Sequence, residues 1–352
     1  MIAAVLTRIR ARPIRSGLKA LVWLAVLAVA VTQLVGYLRF SAFARDLDAA
    51  MAIPPHGAVT DAGWSFPSPH GRLSVSLPVY ESEREAGGEL ATSSAFGTLG
   101  WLRRAYVTRI VGAYSTSPLL GRLADEFRAI RDERRLSSDE YLEMMVSAIQ
   151  AIPYGEVDER VALPAEVLAA GSGVCTDKSV LLASLLVHEG YDTVLWVFPT
   201  QWHVAVGVAS DEAQFRGLGY AFIETTAPSY IGQAATALGA RGPVSLAPQQ
   251  IALGGWREYG SGAEVEVILR QLGIARAASI GVSRVARSDD PGSERTRTYA
   301  RRVLDSWVAS GRARYIVANP HDRHEVYRVL VLTGAEPAVH RAYPAAAGAV
   351  VP

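Results

Sequence analysis

The chain has one cysteine, one asparagine and two lysines among 352 residues. A single thiol, Cys175, excludes an internal disulfide and any multi-cysteine metal site. The lone amide Asn319 restricts any catalytic arrangement whose third member is asparagine. Neither charge sign is in excess: 35 basic and 34 acidic residues give +1, which excludes a basic nucleic-acid binder. A composition of 50% hydrophobic and 20% charged residues excludes a disordered chain and supports a buried core. There is no Walker sequence and no complete GxGxxG, so no phosphate-cradling loop is read. Only one apolar run is long enough to cross a bilayer.

That run is Ala20 to Leu38, 19 residues in which Thr32 and Gln33 are the clear polar members. As a helix it is about 28 Å long, near the ~30 Å hydrocarbon thickness. The charge is distributed unevenly around it. Arg8, Arg10, Arg12, Arg15, Lys19 and Arg39 give residues 1–39 a charge of +6 and leave −5 on the rest. Five of those six precede the run, so the positive-inside rule predicts a cytoplasmic N-terminus and an exterior body. The competing readings are a signal peptide cleaved after Ala28-Val29-Ala30 and a buried soluble helix; the apolar run continues eight residues past the cleavage-like site, which favours an uncleaved anchor.

The sequence divides into a basic N-terminus (1–19), the anchor (20–38), a juxtamembrane linker with a small β/loop region (39–114), a main domain (115–240), an irregular linker (241–297) and a small α/β C-terminal piece (298–352). Within 39–114, Pro54, Pro55, Pro67 and Pro69 suit a linker. Leu73–Tyr80 alternates as a strand with Pro78 at a sheet edge, and 81–100 reads as a loop. Helices are predicted from Leu119 to Ile130 and after Ser137, where Glu140 completes a capping box and Pro153 ends the run. Thr176–Glu189 is apolar on nearly every side and stops at Gly190, the pattern of a buried helix. Strands follow at Thr193–Phe198, Trp202–Ala209 and Tyr220–Thr226. One helix feeding an antiparallel meander predicts an α+β fold. Further on, Thr298–Ser310 reads as a helix, Ala313–Ala318 as a strand, and Asn319-Pro320 as the start of a helix ending at Gly334.

The chemistry centres on Cys175. It lies in Gly171-Ser-Gly-Val-Cys-Thr-Asp-Lys-Ser at the mouth of the buried helix, where free N–H groups and the helix dipole lower a thiol pKa. Asp177 opposes thiolate formation unless it caps and points elsewhere; Lys178 partly offsets it. Of the seven histidines, His203 is the best base, because it opens a strand whose same-face neighbours, Ala205 and Gly207, are small enough to admit a packed helix. Glu224, a carboxylate inside an apolar run, is the acceptor that can orient the imidazole. Other arrangements fit less well. A papain order puts histidine before asparagine, whereas His321 and His324 follow Asn319. That histidine pair lacks a third metal ligand. His188 suits its helix C-terminus, His56 and His70 sit before glycines in Pro-rich loops, and His340 has no context.

These pieces together resemble the transglutaminase-like superfamily. The resemblance rests on Pro164-x-Glu166-x-Leu168, Gly173-x-Cys175-x-Asp177-Lys178-Ser179, His203-Val-Ala-Val-Gly207 and Glu224-Thr-Thr226, and covers about residues 115–235. It is similar to a prokaryotic, membrane-anchored branch, with Glu in place of the commoner Asp as third member. The resemblance implies a papain-like α+β core, Cys175 as nucleophile, His203 as general base and acid, and Glu224 as the residue orienting His203. It also implies an oxyanion donor besides the cysteine amide, for which Tyr154 and Trp202 are candidates. Neither metal nor cofactor is implied. The expected activity is acyl transfer through a Cys175 thioester, to water or to an amine, on peptides or proteins of the cell envelope, with peptidoglycan stem peptides among them. The expected location is the cytoplasmic membrane of a bacterium. The alternative is a non-catalytic binding or assembly module on the same fold.

Overall fold

The computed structural model describes residues 2–68, 71–89, 100–156, 160–226, 229–234, 247–262, 313–315 and 329–331. Helix α1 (Ile2–Met51) contains the apolar run, whose large side chains from Leu21 to Leu38 are exposed. It is long and apolar enough to cross a membrane. It does not give way to a linker at residue 39. Residues 39–51 contain neither glycine nor proline, so the helix continues, and Leu47 is fully buried against the domain.

The first strand after α1 is β1 (Val59–Ser68), which pairs antiparallel with β2 (Gly71–Tyr80). Only β2 is legible as a strand, through buried Leu73, Val75, Leu77 and Val79; β1 buries Ala62 and Phe66 opposite them. Pro78 sits in a two-stranded hairpin, where a missing N–H is tolerated. The loop expected at 81–100 opens instead as helix α2 (Glu81–Glu89). Its first-turn acids explain why: Glu81 accepts from the Ala58 N–H and Glu83 from the Tyr80 N–H. Helix α3 (Gly100–Ser115) follows, with Tyr106, Val107, Ile110, Val111 and Tyr114 buried. It packs against the cysteine-bearing helix, so the packed unit begins upstream of residue 115.

Helix α4 (Pro118–Arg134) is capped by Ser117, and α5 (Ser138–Ala151) by Ser137 with the reciprocal bond from Glu140. Both caps satisfy first-turn N–H groups that would otherwise be unpaired. After the short α6 (Pro164–Ala170) comes α7 (Cys175–His188), buried almost throughout, and Gly190 turns the chain at φ +81°.

Strands β3 (Thr193–Phe198), β4 (His203–Ala209) and β5 (Tyr220–Ile223) form the expected meander. A fourth, β6 (Gln249–Gly254), adds to β3 from the stretch expected to be irregular, giving the antiparallel order β5-β4-β3-β6. Its two glutamines and terminal glycine hide it from periodicity; pairing with β3 defines it. The chain is thus α+β: seven helices among the described residues, an antiparallel hairpin, and α7 packed on an antiparallel four-stranded sheet.

The helix covers the face bearing Val204, Val206 and Val208, not the face bearing Ala205 and Gly207. The small residues make room for an aromatic cluster on the opposite face, where Trp196 stacks on Phe222 at 5.5 Å with Phe198 and Phe215 around them. A Cβ on Gly207 would lie 2.7 Å from Val194 Cγ2 and 2.8 Å from Trp196. Gly207→Ala is therefore expected to cost about 1–3 kcal/mol of stability, read as a lowered thermal midpoint of the full chain in detergent.

In the C-terminal piece, β7 (Ala313–Tyr315) pairs with β8 (Val329–Val331). The first agrees with the expected strand. The second overturns a helix running to Gly334, since Val329-Leu330-Val331 favours extended backbone. The expected helix at 298–310, Asn319, and His70, His321, His324 and His340 lie outside the described residues.

Candidate active site

Cys175 is the first residue of α7, so its backbone N–H has no acceptor inside the helix and points out of its N-terminal end. Val174 precedes it in extended conformation, and Asp177 closes the turn by accepting from the Val174 N–H at 3.0 Å. The other carboxylate oxygen accepts from the Ala162 N–H at 3.0 Å. Asp177 is therefore occupied by two backbone donors and ties the 162 loop to the cysteine turn. Burial raises its carboxyl to about 6 against those two bonds. A carboxyl held above its unfolded value favours folding at low pH, a contribution lost as pH rises through about 6. Between pH 4 and 6 the wild type is expected to lose roughly 1–3 kcal/mol relative to Asp177→Asn, in paired unfolding curves.

His203 starts β4 immediately after a turn in which Trp202 adopts φ +51°, unusual for a bulky residue. That conformation aims the Trp202 carbonyl at the thiol, 3.8 Å from Sγ. Glu224 lies one residue past the end of β5, and its Oε2 accepts from His203 Nε2 at 3.0 Å. The other ring nitrogen, Nδ1, is left for the sulfur. Glu224 Oε1 accepts from the Thr225 N–H at 3.0 Å, the Thr226 N–H at 3.0 Å and the Thr226 hydroxyl at 2.7 Å. The carboxylate is thereby fixed in both position and charge.

The electrostatics follow from these contacts. Burial pushes the Cys175 thiol up, but its contact with His203, helped by the Val204 N–H and Thr176, brings it below the ordinary value. Burial pushes His203 down, and the contacts with Cys175 and Glu224 overcome it and raise the imidazole well above the ordinary value. Glu224 is lowered: burial opposes its charge, while His203 and Thr226 hold it ionised. All three shifts run toward the charged forms, thiolate, imidazolium and carboxylate in series.

Three residues support the triad in ways the sequence does not reveal: Gln150, which no motif singles out, and Lys178 and Ser179, which the motif contains without showing what they bond. Lys178 is fully buried and donates to the carbonyls of Gln150 (3.1 Å) and Ile152 (2.6 Å) at the end of α5. Burial lowers it to about 8, and the Glu224 charge opposes that fall. Gln150 in turn donates to the Glu224 carbonyl at 2.8 Å. Ser179 donates to the Val204 carbonyl at 3.1 Å and lies 3.0 Å from the Thr225 hydroxyl. A lysine and two serines in an otherwise apolar helix are the signal that could have found this frame, since buried polar groups must be bonded.

Of the two oxyanion candidates, Trp202 presents its carbonyl to the sulfur, and its side chain is 78% exposed. Tyr154 is bridged to Gly173, two residues before the cysteine, with the Gly155 N–H donating to the Gly173 carbonyl at 3.2 Å. Its side chain is 54% exposed. Both therefore border the cysteine turn. Comparison with protein-family models, with curated proteins and with solved structures finds no match to this chain.

Proposed function

We propose that this chain is a membrane-anchored thiol acyltransferase or hydrolase with a transglutaminase-like, papain-like core. The observation that carries the reading is the series Cys175, His203, Glu224, in which the thiol is lowered and the imidazole raised at the start of a buried helix. The Cys175 thiolate attacks the carbonyl carbon of an amide, and the Cys175 N–H, free at the helix end, stabilises the oxyanion. The C–N bond breaks as His203 gives its proton to the leaving amine, leaving a thioester on Cys175. Water or an amine then attacks that carbonyl, His203 takes its proton, and the C–S bond breaks to return the thiolate. Glu224 stays ionised throughout and keeps Nε2–H of His203 aimed away from the sulfur.

The basic residues before the apolar run of α1 hold the N-terminus in the cytoplasm of a bacterial cell and the catalytic domain outside. Envelope peptides or proteins are then the substrates. The burial of Cys175, 7% exposed, favours a second reading, a binding or assembly module with an inert thiol. A peptide acyloxymethyl ketone separates the two. The enzyme reading expects stoichiometric capture at Cys175 that is abolished in Cys175→Ser and His203→Ala. Absence of capture in the folded wild type, with labelling only after unfolding, supports the binding module instead.

A further inference from the structure

The anchor helix reaches into the domain at a particular end. Leu102, near the start of α3, approaches Gly36 so closely that a Cβ there would lie 3.2 Å from its Cδ2. Gly36 lies inside the apolar run. Further along both helices, Phe43 meets Tyr106 at 4.8 Å and Asp48 pairs with Arg109. The contacts climb α1 and α3 together, so the N-terminal end of α3 is the end next to the bilayer.

The cysteine shares that end. His188, at the C-terminus of α7, donates from Nδ1 to the carbonyl of Ser115, the last residue of α3, at 2.7 Å. The two helices pack side by side with their C-termini together, so α7 begins, with Cys175, where α3 begins. The sheet gives the same placement independently. Gln249 donates to the Gly100 carbonyl at 2.6 Å and accepts from Arg103, and it pairs with Val197, itself paired with Val204. Two strand spacings, about 10 Å, thus separate the residue bonded to the start of α3 from the residue after His203. The opposite end of α7, where Trp256 covers Gly190, is about 20 Å farther out for a helix of 14 residues. Exposed side chains at the near end are Trp101 (44%), Trp202, Arg104 and Arg39, types that suit the lipid headgroup layer.

We propose that the Cys175 site faces the bilayer holding α1 and acts on the membrane-proximal segment of a polypeptide tethered in that same bilayer, within roughly ten residues (~30 Å extended) of the lipid. This rests on the anchor and on the thiol chemistry proposed above, and two measurements keep them apart. The first reads placement alone. In Cys175→Ser, bimane maleimide is attached at Trp202→Cys or at Trp256→Cys, in the full chain reconstituted in phosphatidylcholine vesicles with or without a headgroup nitroxide. Quenching at least threefold stronger at position 202 is expected; equal or stronger quenching at 256 overturns the placement.

The second reads reach in the wild type. An electrophilic peptide is attached to a phospholipid through a spacer of about five or about twenty residues, and capture on Cys175 is followed in the same vesicles. Capture with the short spacer at no less than a third of the long-spacer rate is expected. Capture only through the long spacer overturns the proposal. Capture by neither, with quenching still strongest at 202, overturns the thiol chemistry and leaves the placement standing.

Discussion

Replacing His203 with alanine is expected to slow alkylation of Cys175 by iodoacetamide at pH 7 by at least about thirtyfold. An unperturbed thiol is only a few per cent ionised at that pH, whereas in the wild type the contact with His203 lowers the thiol pKa and raises the ionised fraction. Burial, the largest influence on the sulfur, is opposed in the variant only by the contacts with the Val204 N–H and Thr176, so the pKa rises. The signs give the shape of the profile. In the wild type the reactive pair exists above the lowered thiol pKa and below the raised imidazole pKa. Alkylation therefore stays faster than in the variant as pH falls, and turnover is bell-shaped: lost on the acid side as Cys175 gains a proton, and on the alkaline side as His203 loses one. In His203→Ala the alkylation rate falls tenfold per pH unit from above 8 downward. A variant profile that overlays the wild type would remove the ion pair, and the acyl-transfer reading with it.

Glu224→Ala is the second large effect, and it reaches stability as well as chemistry. The carboxylate is buried, accepts from His203 and from three donors on Thr225 and Thr226, and offsets the charge of the fully buried Lys178. Its removal leaves an uncompensated buried cation and unpaired N–H groups, a loss of about 3–5 kcal/mol. Thermal unfolding of the full chain in detergent is the measurement. Glu224→Gln separates the roles, because the amide oxygen can still accept from the threonines but no negative charge faces His203. It is expected to regain only the share carried by the threonine bonds, about 1–2 kcal/mol, because Lys178 stays uncompensated, while alkylation at pH 6 stays at least tenfold below wild type. An alanine variant within about 1 kcal/mol of wild type would mean that Glu224 carries little of the buried charge balance.

Where local pattern and burial pointed the same way, the sequence was enough. The capping box at Ser137, the all-apolar helix ending at Gly190 and the β-branched and aromatic run Thr193–Phe198 each carry a local cause that acts within a few residues. The order of Cys175, His203 and Glu224 and their residue types were legible for the same reason: each stands out against its apolar surroundings. Elements defined by partners were not legible. β6 is a strand because β3 offers it a ladder, and β1 because β2 does. The role of small residues on β4 was misread: a strand has two faces, and only the packing decides that α7 takes the valine side while Trp196 fills the space over Gly207.

The sequence by itself determined that there is one thiol, one span long enough for a bilayer, and an α+β order placing Cys175 at a helix start. Only the tertiary structure decided the rest. It turned Asp177 to the backbone of Val174 and Ala162, enclosed Lys178 beside Glu224, and set the start of α7 at the end of the domain that meets α1. The physical reason is range. Capping, periodicity and propensity act over one or two turns, whereas the charge state of a buried triad and the direction a site faces are set by groups tens to more than a hundred residues apart.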